Sequence, residues 1–446
     1  MTQKILGIIL LLALSQILWA HFAFSAEIVR KTTLSNGLTL VVAERNQLPT
    51  IHLQVLVRAG SSVDTADQLG LANLTAELLL QGTATRDATQ ISRRIESVGG
   101  SLTSAADLDF TSLHLAVLKK DLPLGMELLA DILQNPQFAE PEVARKIVEM
   151  KARLKRMEEE PRQIAQLAFA KGLFRDHPYA HPVEGSVATL DKLTRVDIQR
   201  FFQSYYRPNN ALITIVGQVT LEEATGFLEK GLGGWQASPI QKPPLAPPQG
   251  LARPEVVKID RSSSQANILW GHLGVNRGNP DYYTLLVMNY ILGGGGFVSR
   301  LMDQIRDNLG LTYGIYSHFE AREFPGAFQI VLETKNQNTN QAVAEIRKEI
   351  KEFLEKGVTA TELAEAKAYL TGSFPLRMDT NAKMVKLLSA IEFYGLGLDY
   401  PEKYPQLINQ VTEEEILRAA RQYLQPEKFL LVVVGDQKEI QLKDSF

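Results

Sequence analysis

The 446-residue chain contains no cysteine. That excludes a disulfide-stapled scaffold, a thiol nucleophile and lipidation of an N-terminal Cys. A chain this long relies on its core instead, and its length fits two or three domains. Neither sign of charge is in strong excess: 47 Lys and Arg face 50 Asp and Glu, a net −3. That balance carries no signature of nucleic acid or of an anionic membrane surface as partner. No long apolar run follows residue 26, so the mature chain is expected to have no membrane span. Catalytic signatures are missing too. There is no G-x-S-x-G elbow, and Gly293–Gly296 lacks the Lys-Ser/Thr of a phosphate loop. His177 and His181 sit four apart, but Pro178 and Pro182 interrupt them, so a shared helical face is excluded and loop ordering is the expectation. His52 and His114 fall in strand patterns, where a satisfied, partly buried imidazole is expected.

What is present begins with a leader. Lys4 supplies a positive start, Ile5 to Leu14 is an apolar run, and Ala23–Ser25 offers small residues for cleavage near Ala26. Residues 1–26 therefore read as a signal peptide. The chain is expected to be exported, to the periplasm if bacterial and otherwise secreted. Cleavage removes one base and no acid, giving a net −4. The rival expectation is an uncleaved anchor, which Gln16 and His21 disfavour.

The remainder is one unit written twice. Thr194, Ile198, Tyr205, Pro208 and Gly217 match Thr412, Ile416, Tyr423, Pro426 and Gly435, all at an offset of 218. Each block opens with a Thr cap, breaks at Pro and resumes as an apolar strand ending at Gly. Between the halves, Gln236 to Pro254 is proline-rich and reads as a semi-rigid linker. Two similar domains follow, 27–235 and 255–446. Strands come in runs and helices in runs. The expected class is α+β, each domain a mostly antiparallel sheet packed against a layer of helices.

One helix stands out. "GLANLTAELLLQGT", Gly70 to Thr83, has Leu71, Leu74, Leu78 and Leu79 spaced for one buried face. Asn73 and Glu77 are four apart and project from one side, with Ala76 between them. A zinc helix places two His at that spacing, so that both reach one ion while an acid activates its water. The stretch resembles the zinc helix of the pitrilysin/insulinase-type metallopeptidases, whose frame is G-L-A-H-x-x-E-H-x-x-x-x-G-T. Asn73 stands at the first His, Ala76 at the Glu and Glu77 at the second His. The resemblance extends over nearly all of the mature chain, including "IESVGGSLTSAADLDF" and "HPYAHPVEGSVATLDKL". The family's third ligand is a Glu on a later helix that carries another Glu seven positions earlier. Glu149 and Glu142 match these. One ligand of three remains and the base is gone. Asn is a poor zinc ligand, although Glu77 with Glu149 could attract a hard cation weakly. The expectation is no metal and no cofactor on this chain, and no autonomous peptidase activity.

In the second half, "GGGGFVSRLMDQIRDNLGLTYGIYSHFE" resembles the family's matching segment. Arg306 and Tyr313 fall on an Arg and a Tyr that the resemblance associates with substrate binding. Arg offers fixed donors to a peptide carbonyl, and a Tyr hydroxyl can donate to an oxyanion. Gly293–Gly296 sits where the alpha-type, non-catalytic subunit of a processing peptidase carries a glycine-rich loop. The resemblance thus implies a zinc-less subunit that lends Arg306 and Tyr313 to a peptide held on a homologous, zinc-bearing H-x-x-E-H partner. The alternative is a non-enzymatic peptide-binding or structural scaffold of the same fold, like the core proteins of the cytochrome bc1 complex.

Overall fold

A computed structural model describes residues 29–443, and the leader expected at 1–26 lies outside them. Strands β1 (Val29–Thr33) and β2 (Thr39–Glu44) form a hairpin about Asn36-Gly37, with Gly37 at φ 87°. That left-handed backbone suits glycine. They join β3 (Thr50–Val57), β4 (Ser101–Ala106), β5 (Thr111–Leu118) and β6 (Ala211–Gly217) in one sheet of order β1-β2-β6-β3-β5-β4. The second sheet holds β7 (Glu255–Asp260), β8 (Gln265–Leu273), β9 (Thr312–Phe319), β10 (Ala327–Lys335) and β11 (Leu430–Gly435) in the order β7-β11-β8-β10-β9.

The two orders are one topology. In each half the last strand lies parallel to an early one, β6 to β2 and β11 to β7, and every other pairing is antiparallel. Ala211–Gly217 and Leu430–Gly435 therefore occupy equivalent central positions, and β1 is an addition at one edge of the first sheet. The matched Thr caps are both capping boxes. Asp197 N–H donates to Thr194 and Glu415 N–H to Thr412, and each carboxylate accepts from its Thr N–H at 2.9 Å. Such a cap contributes about 1 kcal/mol.

The helices of two turns or more are numbered α1 (Leu71–Leu78), α2 (Ala88–Glu96), α3 (Leu122–Gln134), α4 (Glu140–Met157), α5 (Pro161–Phe174), α6 (Arg195–Tyr205) and α7 (Leu221–Leu232) in the first half. The second half has α8 (Tyr282–Asn289), α9 (Thr339–Lys356), α10 (Ala360–Gly372), α11 (Asn381–Phe393), α12 (Tyr400–Gln410) and α13 (Glu413–Tyr423). Most pack on one face of their own half's sheet, which gives each half its own core.

Two helices do not. α5 lies on the second half's sheet, where Phe169 and Leu173 pack with Leu269, Leu430 and Val432. The approach is close: a Cβ at Gly172 would fall 2.8 Å from a Leu430 methyl. α11 reciprocates on the first half's sheet. Phe393 packs on Leu56 and Leu212, and Asn381 donates to the Thr50 carbonyl at 3.2 Å. Arg58 stacks on the Phe393 ring at 4.5 Å and donates to its carbonyl at 3.0 Å. The 218 offset carries α5 onto α11 to within two residues, so the exchange obeys the same repeat. A sheet whose second face is apolar must be covered. Here each half covers the other's. Residues 236–254 carry no helix or strand. No helix among the described residues is long and apolar enough to cross a membrane.

Candidate functional site

Helix α1 starts at Gly70, φ 92°, and its first N–H groups are met by a buried acid. The Asp64 carboxyl accepts from Gly70 N–H at 2.9 Å and from Ala72 N–H at 3.0 Å. Burial pushes the Asp64 pKa up to about 8, against those backbone donors. Every α1 residue except Glu77 is buried. Asn73 and Glu77 do share a face: Asn73 Nδ2 donates to Glu77 Oε1 at 3.1 Å. Ala76, between them, is fully buried and presents only a methyl, so no proton acceptor stands there.

Glu77 is met by two cations from α4. Arg153 Nη2 lies 2.9 Å from one carboxylate oxygen and 3.1 Å from the other. Lys146 Nζ lies 3.5 Å from Glu77 and 2.9 Å from Glu149, so one ammonium bridges both carboxylates. Arg145 pairs with Glu149 and, at 2.6 Å, with Glu142. Lys146 and then Arg145 hold Glu149 below the usual carboxylate range. The spacing on α4 explains the arrangement, since Arg145, Lys146 and Arg153 all fall within one or two turns of Glu149. The donors do not fit zinc. Asn73 is neutral and bonded to Glu77, both carboxylates are already neutralised, and no imidazole or thiolate converges there. Among the described residues, no group of three His, Asp or Glu could hold a metal ion.

Asn73, Glu77, Lys146 and Arg153 line a cavity of about 880 Å³ between the halves. β4 forms another part of its wall, and it is the free edge strand of the first sheet. Glu320, Arg322 and Gln329 of the second half line it as well. Arg322 joins the halves, 2.5 Å from Asp107 and 2.5 Å from Glu320.

Arg306 and Tyr313 are elsewhere. Neither lines that cavity. Tyr313 is seven residues from Glu320 along β9, roughly 23 Å at the rise of an extended strand. Strand alternation alone would turn Tyr313 inward with Ile315 and Ser317, which are buried. A register shift opposite Leu332–Thr334 prevents this: Thr312 pairs with Thr334 and Ile315 with Leu332. Such a bulge re-aims a side chain. Tyr313 is consequently 91 % exposed. Arg306 lies on a π-helical segment, Met302–Asn308, and its Nε donates to the Tyr313 carbonyl at 3.1 Å. Its guanidinium also sits 4.9 Å from the Phe297 ring and pairs with Asp307. A second π-helical turn, Tyr290–Gly294, precedes the exposed Phe297 and Val298. Glycine is required there, because a Cβ at Gly293 would meet Ser317 Oγ at 2.4 Å. The Gly293–Gly296 run is thus partly a packed turn against β9, and only Gly296, φ 62°, has open space around it.

The structure therefore brings Asn73, Glu77 and Glu149 together through Lys146, and Arg306 with Tyr313, but not the two groups with each other. Lys146 and Arg153 were not among the candidates from sequence. The signal was present in "EVARKIVEMKARLKR", where bases flank Glu149 at i−3 and i+4. His177 orders its loop as expected, accepting from Tyr179 N–H at 3.1 Å.

The fold and site define a class: a pseudo-symmetric pair of α+β units that share a cavity lined by ion-paired acidic and basic side chains. Comparison with known proteins is specific. The description "Insulinase (Peptidase family M16)" matches residues 40–187, and "Peptidase M16 inactive domain" matches residues 192–370. The chain belongs to peptidase family M16. It is 28 % identical over 405 residues to an uncharacterized zinc protease of Mycobacterium tuberculosis, covering 89 % of this chain and 90 % of that one. A protein of Helicobacter pylori named a non-peptidase homolog is 26 % identical over 404 residues, covering 90 % and 92 %. The crystal structure of a peptidase M16 inactive domain from Pseudomonas fluorescens superimposes with a TM-score of 0.86 at 29 % identity, covering 91 % of this chain and 98 % of that one.

Proposed function

We propose that this chain is the zinc-less subunit of a heteromeric, exported metalloendopeptidase, and that it supplies Arg306 and Tyr313 to a peptide bound by a homologous partner carrying H-x-x-E-H. The single observation that carries the proposal is the bulge in β9, which turns an aromatic hydroxyl into solvent beside an ordered guanidinium. A scaffold gains nothing from exposing a tyrosine that its strand would otherwise bury. Arg306 would hold a peptide carbonyl and Tyr313 would donate to the oxyanion that forms at the scissile carbonyl. Hydrolysis itself would belong to the partner, because Ala76 offers no base. The name of the Helicobacter pylori relative agrees with a non-catalytic role.

The test is reconstitution with an H-x-x-E-H homologue from the same source, with complex formation checked by size and cleavage followed on a quenched peptide. Tyr313→Phe is expected to lower kcat on the order of 10²-fold, as loss of one oxyanion donor does. Arg306→Ala is expected to raise KM as well, and neither should disturb assembly. Full activity from the Tyr313→Phe complex would refute the assignment of the hydroxyl as donor and leave the scaffold reading.

A further inference from the structure

We propose that one end of the first sheet is a membrane-facing surface, and that Leu48, Leu118 and Leu376 seat it in the lipid headgroup layer beside the point where the expected leader joins the body. This shares with the function proposed above only the expectation of export.

The turn from β2 to β3 runs through Arg45-Asn46-Gln47-Leu48-Pro49, and its Leu48 is 63 % exposed. Thr50, which follows it, pairs with Leu118, itself 38 % exposed. Asn381 donates to the Thr50 carbonyl where α11 begins, and in the turn before α11 Leu376 is 61 % exposed. Arg45 closes the group by donating to the Met378 carbonyl at 2.9 Å. Three exposed leucines, from three separate segments and both halves, thus stand at one end of one sheet.

The duplicated fold supplies its own control, because the corresponding end of the second sheet is polar. There the turn from β7 to β8 is Arg261-Ser262-Ser263-Ser264. Lys335 ends β10 where Leu118 ends β5. At the offset of 218, Leu376-Arg377-Met378 falls on Glu158-Glu159-Glu160, the turn before α5. The leucines are exposed, so packing of the core does not account for the difference.

The start of the chain falls at the apolar end. Val29 lies opposite Ala43, beside the last residue of β2, and β1 has no counterpart in the second sheet. The leader expected at 1–26 therefore joins the body beside the leucines. Until it is cut, or for good if it is kept, it ties this end to a bilayer. Charge is not the driving force: Lys119, Lys120 and Lys383 at this end pair with Glu223, Asp121 and Asp379. Leucines among long basic side chains suit the headgroup layer, where apolar atoms enter and charged heads stay wet. A leucine on a turn can enter a fluid layer without the matching pocket that a protein partner would have to provide.

Because the chain has no cysteine, one introduced thiol labels one place. Gln47→Cys, Pro375→Cys and, at the polar end, Ser262→Cys are each coupled to the polarity-sensitive dye NBD in the chain of residues 27–446. Vesicles of phosphatidylethanolamine and phosphatidylglycerol in equal parts are the probe. The dye at the first two positions should brighten and shift to the blue, half-maximally at roughly millimolar lipid, as for a weak interfacial contact. The dye at the third should not respond. Leu48→Ser combined with Leu376→Ser should raise the lipid needed about tenfold or more. The thermal midpoint should not change, since both side chains are exposed. No shift at the first two positions, an equal shift at the third, or unreduced binding by the double serine variant would overturn the proposal. Vesicle binding is read without a partner or a peptide, so this proposal and the function proposed above fail separately.

Discussion

The buried imidazole of His272 makes acid stability a quantitative test of the second half's core. His272 is 1 % exposed and is held in one tautomer by two backbone partners. Nδ1–H donates to the Leu273 carbonyl at 3.0 Å, while Nε2 accepts from Gln425 N–H at 3.2 Å. A proton on Nε2 has no acceptor and would displace that N–H. Burial accordingly lowers the pKa from 6.5 to about 4. The sign follows. The unfolded chain binds the proton near pH 6.5 and the folded chain only near pH 4, so stability falls as pH drops through that window. The shift corresponds to about 3 kcal/mol, fully lost below the folded value. Urea titrations of the mature chain at steps from pH 7.5 to pH 4, with Trp235→Phe in the background, leave Trp270 as the reporter, its ring 5.9 Å from His272. The other described histidines also have lowered pKa values, so the native profile is steeper still. Subtracting the profile of His272→Gln isolates one site. A difference that does not grow below pH 6.5 would refute the buried, neutral imidazole.

Three further outcomes are expected. Phe169→Ala removes a fully buried ring at the exchanged helix and should cost about 3–5 kcal/mol. Its loss should be read by Trp270 in the second half although the substitution lies in the first, and a transition confined to the first half would contradict the exchange. The chain purified alone should retain no stoichiometric zinc after mild dialysis and should cleave no peptide, and about one zinc per chain by metal analysis would sink that expectation. Gly293→Ala should displace the turn packed on Ser317 and lower the activity of the reconstituted complex; unaltered activity would show that the turn does not position Arg306 and Tyr313.

The sequence was most legible where a local rule decides the outcome. The Thr194 and Thr412 caps, the Asn36-Gly37 turn and the paired strands at 211–217 and 430–435 follow from capping chemistry, turn preference and apolar runs. The pairing of Asn73 with Glu77 follows from helical spacing alone. What was not legible is long-range. Nothing in α5 marks it as a cover for the other half's sheet: its apolar residues read as an ordinary amphipathic face, and periodicity says which side is buried but never against what. The bulge was hidden for a related reason. "GLTYGIYSHF" alternates well enough to read as a plain strand, and only its register against β10 shows that Tyr313 has left the inward series. Lys146 was overlooked because a basic residue near an acid on a helix is usually a solvated pair. Its burial comes from α1 crossing over it, which is a tertiary fact.

The separation of the two residue groups gives the pairing proposal its physical basis. In a single chain, Glu77 opens into the cavity between the halves, whereas Tyr313 stands at the far end of β9. Closing the halves would not bridge that gap, because they are already fastened on both sides. α5 is packed into the second sheet, α11 into the first, and Arg322 is bonded to Asp107 across the interface. A hinge that moved Tyr313 to Glu77 would have to strip two exchanged helices from apolar faces, at about 1.5–3 kcal/mol for every large side chain exposed. Even then Tyr313 would meet a carboxylate held by Lys146 and Arg153, with no water-activating group beside it. The rigid exchange that makes one chain stable thus denies it a composite site of its own. A tyrosine and an arginine held outward on such a body are out of reach of Glu77 in the same chain, and this supports the proposal that they serve a peptide bound by a partner.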